Sequence, residues 1–251
     1  MKKKTLIATL PVLVCLLLFF SRCDLLQGIQ GTGTTGSSDP TNAEIISGLK
    51  EALNSGVTKG VTQLNLRDGF FKDLAIKILF PDEAKKVENT LRSLGMGSVC
   101  DQAIESFNRA AEGAMLEAKP IFANAITSMT FTDAMNILLG SDDAATVYFK
   151  SKTSAQLSTA FKPKIQTSLD KVSATKYWSD IMTTYNNLPT TQQKINPDLA
   201  QFVTDKAIDG LFVQVKKEEA KIRQTLSSRT SPLLKKVFAY MDKKKGKTPA
   251  N

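Results

Sequence analysis

The chain has 251 residues, of which 42% are apolar and 23% are charged, and such a composition is typical of a globular protein. It excludes a collagen, a wholly disordered chain and a multi-span membrane protein. Histidine is absent from the sequence, which excludes Ser-His-Asp and Cys-His catalysis and histidine-ligated zinc.

The net charge of +9 is concentrated at the two ends of the chain. Residues 1–22 carry a charge of +4 and residues 235–251 carry +5, whereas the stretch between them is neutral overall. Because a nucleic-acid-binding domain presents a basic surface, the neutral body makes nucleic acid an unlikely partner. We predict that the basic residues 242–251 form a disordered tail that binds anionic surfaces weakly.

The N-terminus has the pattern of an export signal. Lys2–Lys4 precede an apolar stretch over 6–20, which is short for a membrane span. Cys23 follows in a context that resembles a bacterial lipoprotein signal, although Arg22 stands where a small residue is usual. We predict a signal peptide over 1–22 and lipidation of Cys23, with an uncleaved anchor and ordinary secretion as alternatives.

A Gly/Thr/Ser-rich stretch separates the lipidation site from the folded part, and we predict a tether over 23–43. From 44 to 241 the apolar residues recur at helical spacing, as in Ile45, Leu49 and Leu53. This pattern predicts a single all-α domain of about eight or nine helices. One segment, 74–80, alternates apolar and other residues and predicts a short extended excursion with Leu74, Ile76, Ile78 and Phe80 on one side.

Several helix starts carry a capping signal. Thr130 and Asp133 have the spacing of a capping box, and Asp198 and Ser231 each stand beside a proline at a predicted helix start. Residues 141–143, Ser-Asp-Asp, follow a helix-ending glycine and are predicted to cap the next helix.

Four short strings, taken in order, resemble a known family. They are Ile76-Lys77-Ile78-Leu79-Phe80-Pro81, Asn108-Arg109-Ala110-Ala111-Glu112, Asp143-Ala144-Ala145-Thr146-Val147-Tyr148-Phe149 and Asp209-Gly210-Leu211-Phe212. With shorter matches they cover about 44–238 and resemble the bacterial family called domain of unknown function 4197 (DUF4197). The resemblance implies a secreted or lipid-anchored envelope protein, and it implies no activity.

A candidate polar cluster, of functional or structural character, is predicted from charged and polar residues near apolar helix faces. Its members are Asn108, Arg109, Glu112, Tyr148, Asp209, Glu219 and Arg223. Arg109 stands between Glu105 and Glu112 at helical spacing, which predicts a solvated ion-pair ladder. The alternative is that Asn108 and Glu112 turn partly inward, where they hydrogen-bond to another helix or line a pocket. Tyr148 is expected to be a core aromatic residue with a hydrogen-bonded hydroxyl group.

Glu219 continues the apolar stripe of its helix, whereas Glu218 is expected to point elsewhere. A buried carboxylate needs a cation or several donors, so we expect Glu219 to pair with Arg223 or Arg109. Asp209 precedes a glycine in mid-helix, which predicts the close approach of a second backbone. Cys100 is expected to be a small buried residue rather than a nucleophile.

Three functions from different classes remain open. We favour a lipid-tethered envelope module that binds an apolar ligand or an envelope protein, with no cofactor or metal and with the membrane as a further partner. The alternative is a carboxylate-dependent, hydrolase-like enzyme that uses Glu112, Asp209 or Glu219. A purely structural scaffold is the third possibility.

Overall fold

Nine α-helices follow one another through the part of the chain that the computed structural model describes, which is residues 39–187, 189 and 194–248. They are α1 (Asn42–Asn65), α2 (Lys85–Ser93), α3 (Gly97–Ala114), α4 (Ala118–Thr127), α5 (Phe131–Leu139), α6 (Ala144–Asp170), α7 (Ala174–Asn186), α8 (Leu199–Gln224) and α9 (Pro232–Lys245). Single 3-10 turns occupy Asp82–Ala84, Met115–Glu117 and Leu226–Ser228. These described ranges contain no β-strand, so the predicted all-α class is confirmed.

The long helices α1, α6 and α8 form the centre of the domain, and α8 packs against both of the others. The buried apolar side chains run from Ile45 to Met241 and make one core. Gly48 lets α1 approach α9 closely, since a β-carbon there would lie 2.8 Å from Cγ2 of Val237. The apolar periodicity of the sequence therefore reflects helices that bury one face each in a shared core.

The predicted caps at Thr130, Asp198 and Ser231 are confirmed. The hydroxyl group of Thr130 accepts from the backbone N–H of Asp133 at 3.1 Å, and the side chains of Asp198 and Ser231 accept from the third residue of their helices. Thr41 makes a further capping box at the start of α1. The helical domain therefore begins a few residues before the predicted boundary at 44, inside the predicted tether 23–43.

The predicted disorder of the tail is wrong for residues 242–248. Helix α9 continues to Lys245 and ends at Gly246, whose φ of 60° is left-handed. Asp242 is buried and pairs with the buried Arg229 at 2.6 Å, and Lys247 pairs with Asp142 at 2.6 Å. These ion pairs hold the end of the helix against the domain. They join residues that are far apart in sequence, so no local sequence pattern predicts them.

The excursion between α1 and α2 is irregular rather than strand-like. Turns occupy residues 74–76, and residues 77–81 have no regular structure. Ile76, Ile78 and Phe80 are buried as predicted, whereas Leu74 is 88% exposed because it lies in the turn.

The described helices include none that is both long and apolar enough to cross a bilayer. The predicted signal peptide over 1–22, the lipidation site Cys23 and the tether up to residue 38 lie outside the described residues.

Candidate functional site

Two polar residues of α3 hold the excursion between α1 and α2 in place. The side-chain amide of Asn108 donates to the carbonyl oxygen of Ile78 at 2.8 Å and accepts from its N–H at 2.9 Å. The carboxylate of Glu112 accepts from the N–H groups of Phe70 and Phe71 at 3.1 and 3.3 Å. Both side chains are buried, so they replace the backbone partners that this non-helical segment lacks.

Arg109 completes this arrangement on the same helix. Its guanidinium group lies 2.7 Å from the carboxylate of Glu112, 2.6 Å from that of Asp68 and 3.2 Å from that of Glu105. Hydrogen bonds from Lys72 and then from Arg109 lower the pKa of Asp68 to about 2. Arg109 therefore makes both predicted contacts along the helix and a third to the loop after α1, which the ladder interpretation did not include.

Residues of this excursion pack against α8 at Gly210. A β-carbon at this position would lie 2.5 Å from Cε1 of Phe70 and 3.3 Å from Cβ of Ile76. The prediction of a close approach is correct, but the neighbour is an aromatic side chain rather than a second backbone. Asp209, one residue earlier, is exposed. It is not part of the group of α3 residues, Asn108 to Glu112, that holds the excursion and that we call the Asn108–Glu112 clamp.

Glu219 lies at a junction of three helices. Its carboxylate accepts from the N–H groups of Ala145 and Thr146, each at 2.9 Å, and from the hydroxyl group of Thr146 at 2.8 Å. These groups form the first turn of α6, where backbone N–H groups have no partner within the helix. Asp143 makes no capping bond with its side chain. Asp143 occupies the N-cap position of α6, as predicted, but the capping bonds come from a carboxylate 73 residues away.

Arg223 neutralises Glu219 and extends the junction to α5. The two charged groups lie 2.8 Å apart, and both side chains are buried. The guanidinium group also donates to the carbonyl oxygens of Ile137 and Leu138 at 2.7 and 3.2 Å. The structure thus confirms Arg223, and not Arg109, as the partner of Glu219, and one buried ion pair joins the end of α5 to the start of α6.

Glu218 was expected to point away from the buried face of α8, and this prediction is wrong. It is buried, and its carboxylate lies 2.6 Å from Lys221, whose side chain is 55% exposed. Glu218 packs beside Gly56 and Gly60 of α1. The helix face of α8 that is covered is therefore wider than its apolar residues indicate, because glycines of a neighbouring helix cover an additional edge.

The seven residues of the candidate polar cluster do not form one site. Asn108, Arg109 and Glu112 hold the excursion, whereas Glu219 and Arg223 hold the junction of α5 and α6. The hydroxyl group of Tyr148 donates to the carbonyl oxygen of Ala125 at 3.1 Å, as expected for a core aromatic residue. Within the described ranges no group of carboxylate and cysteine side chains has the arrangement of a metal site.

A deep apolar cleft, which sequence reasoning missed, lies between α3 and α7. Its floor is an aromatic trio, in which the ring of Phe80 lies 5.7 Å from the rings of Phe107 and Trp178. The volume is about 560 Å³, within the range of roughly 300–1,000 Å³ that is usual for small-molecule sites. We call this space the α3–α7 cleft, and Phe80, Phe107 and Trp178 form its floor.

The rim of the α3–α7 cleft is also largely apolar. Val99 on α3 and Val172, Tyr177 and Ile181 around α7 line it and remain exposed, Tyr177 to 62%. Arg109 and Glu105 lie at the edge, already paired with each other. The lining comes from α2, α3, α6, α7, the start of α8 and the excursion before α2, so no single motif marks it. The aromatic pair Tyr177 and Trp178 is the one local signal.

Cys100 is buried in the wall of this cleft and is unoxidised. Burial raises the pKa of its thiol. A neutral buried thiol is a poor nucleophile, which agrees with the prediction of a small packing residue.

A comparison of the sequence with protein families finds one match, to the model described as "Protein of unknown function (DUF4197)", over residues 39–239. The chain belongs to this family. The matched region contains the Asn108–Glu112 clamp, the Glu219–Arg223 pair and the α3–α7 cleft, so all three are part of the DUF4197 domain. No curated protein and no solved structure gives a significant match to the chain.

Proposed function

We propose that this DUF4197 protein is a lipid-tethered module of the bacterial cell envelope that binds an uncharged apolar ligand in the α3–α7 cleft. The observation that carries the proposal is the cleft itself, whose apolar rim exposes Val99, Val172, Tyr177 and Ile181 to water beside a buried aromatic floor. Burial of such surface by a ligand is favourable at about 25 cal/mol per Å². A single-chain molecule with a small neutral head group matches this space.

The charges at the edge of the cleft favour a neutral ligand. Arg109 is the cation that lines it, and three carboxylates already surround its guanidinium group. An anionic head group would have to compete with these partners. A neutral head group can instead reach the side chains of Gln102, Ser106 and Ser168, which line the same space.

The enzyme alternative loses support at the residues proposed for it. The carboxylates of Glu112 and Glu219 bind backbone N–H groups and arginines, and these contacts hold both carboxylates in place. Asp209 is exposed on α8. A general acid or base must lie within hydrogen-bond reach of a substrate, whereas the contacts of Glu112 and Glu219 support the fold.

The tether and the envelope location rest on the sequence pattern around Cys23. Metabolic labelling with palmitate tests them directly. We expect the full-length chain to incorporate the label and the Cys23→Ser variant to lose it; label that persists in the variant would rule out lipidation at this residue.

The ligand can be identified by native purification followed by mass spectrometry of the bound small molecules. Ala103 lines the cleft, and Ala103→Phe should fill it. Ala123→Phe, at an exposed position of α4, adds the same side chain elsewhere. We expect an apolar molecule to accompany the wild type and Ala123→Phe but not Ala103→Phe; equal recovery from all three proteins would contradict the proposal.

A further inference from the structure

The last turns of α9 carry a group of exposed lysines. We call Lys243 and Lys244, with Lys247 just beyond the end of α9 and Lys235 about two turns earlier near its start, the α9 basic end. All four are exposed, and the side chain of Lys243 is 73% exposed. The adjacent acid of the same helix, Asp242, is turned inward to Arg229, so it does not neutralise this surface.

The α9 basic end lies beside the point at which the predicted tether enters the domain. Lys243 lies 3.3 Å from Asp39, the first described residue, and Lys236 lies 2.7 Å from Glu44 in the first turn of α1. With Gly48 against Val237, these contacts show that α9 runs antiparallel to the start of α1. The end of α9 and the start of the domain therefore share one end of the molecule.

The positive charge at this end exceeds the nearby negative charge. Residues 235–247 contain six lysines. Their ionic partners outside α9 are Asp39, Glu44 and Asp142, and Asp242 is matched by Arg229. A surplus of three positive charges remains; Lys235 and Lys244 are exposed, whereas the side chain of Lys245 is 16% exposed and donates to the carbonyl oxygen of Gly140. Basic residues near a helix C-terminus stabilise the helix through its dipole. This stabilisation does not require three positive charges more than the nearby acids neutralise.

We propose that the α9 basic end is a membrane-facing surface that binds the anionic phospholipids of the bilayer to which the chain is tethered. The inference rests on the proposed tether for its geometry: 15 residues separate Cys23 from Asp39, and a chain of that length spans at most roughly 50–60 Å. Such a reach holds the Asp39 end of the domain near the bilayer. Each lysine near an anionic surface favours the bound state by roughly fivefold before salt screening.

The test is acetylation footprinting of the full-length chain reconstituted into lipid vesicles. One set contains phosphatidylcholine alone, and the other contains phosphatidylglycerol in addition. We expect Lys243, Lys244 and Lys247 to react roughly fivefold more slowly in the anionic vesicles, and this protection to disappear in high salt. Lys59, an exposed lysine of α1, should react equally in both. Equal reactivity of the α9 lysines in the two vesicles would overturn the inference.

Two variants and a soluble polyanion complete the experiment. In K243Q/K244Q/K247Q the remaining Lys235 should lose its protection, whereas K59Q/K119Q/K150Q, which removes three exposed lysines elsewhere, should keep it. Equal protection by single-stranded DNA on phosphatidylcholine vesicles would show a general polyanion surface and would contradict the membrane assignment. Retention of the chain on phosphatidylcholine vesicles reports the anchor separately, so failure of the tether and failure of the surface are distinguishable.

Discussion

Replacement of Glu219 by alanine removes the carboxylate that joins α8 to the start of α6. The change leaves the guanidinium group of Arg223, whose side chain is 5% exposed, without its counter-ion. Loss of one partner of a buried ion pair costs about 3–5 kcal/mol. Three donors of residues 145 and 146 also lose their acceptor, and the loss of a helix cap alone costs about 1 kcal/mol.

Glu218→Ala is the matched control, since it removes the same side chain one residue earlier. Glu218 is also buried, but its partner Lys221 is largely exposed and can turn to water, and Gln214, which also donates to Glu218, keeps its bond to Gln63. Such a rim pair contributes about 1 kcal/mol or less. The contrast between the two variants therefore depends on the partner left behind rather than on the burial of the glutamate.

The assay is urea unfolding of residues 39–251, with the helical signal followed by circular dichroism. With an urea dependence of about 2–3 kcal/mol per molar, Glu219→Ala should lower the midpoint by roughly 1–2 M, and Glu218→Ala by far less. Glu219→Gln, which keeps the shape and one acceptor, should fall between them. Equal midpoints for Glu219→Ala and Glu218→Ala would refute the role of the buried junction.

Three further predictions concern the stability of the domain, and the second of them uses the full-length chain. Gly210→Ala should destabilise the domain by about 1–3 kcal/mol, because its β-carbon would overlap an aromatic ring, whereas Gly113→Ala in an open helical position should stabilise it by about 0.5–1 kcal/mol; equal effects would contradict the packing. Deletion of 24–38 should leave the thermal midpoint unchanged. Deletion of 24–41 also removes the N-cap of α1 and should cost about 1 kcal/mol. A large loss of stability from the shorter deletion would contradict the prediction of a tether. The pKa of Asp68 is lowered from 3.8 to about 2, so its contribution to stability is present above pH 3.8 and lost as the pH falls through 2. The stability of Asp68→Asn should therefore depend less on pH in this window than that of the wild type. The same pH dependence in both proteins would show that the ion pair contributes nothing.

Local patterns predicted the helical class and most helix starts. The capping signals at Thr130, Asp198 and Ser231 involve residues three apart, so the sequence contains both partners of each bond. The pairing of Glu219 with Arg223 was predictable for the same reason, since the two residues are four apart on one helix.

Contacts between distant residues account for what the sequence did not reveal. The cap of α6 comes from Glu219, and the order of residues 242–247 comes from Arg229 and Asp142. The burial of Glu218 depends on the glycines of α1. Each case requires the packing of helices that are far apart in sequence, which hydrophobic periodicity does not specify.

The α3–α7 cleft was missed for a related reason. Its lining residues belong to five helices and the excursion and read locally as ordinary core or surface positions. Only the packing of α7 on α6 and α8 places Trp178 beside an open space next to α3.

Fluorescence of Trp178 tests ligand binding in the cleft most directly, because the chain contains a single tryptophan and this residue lines the cleft. The titrant is monolauroylglycerol, an uncharged single-chain molecule, kept below the concentration at which it aggregates. The account predicts a saturable change in the emission of Trp178 in the wild type and in Ala123→Phe, and its loss in Ala103→Phe. No change in the wild type, or the same change in Ala103→Phe, would contradict binding in the α3–α7 cleft.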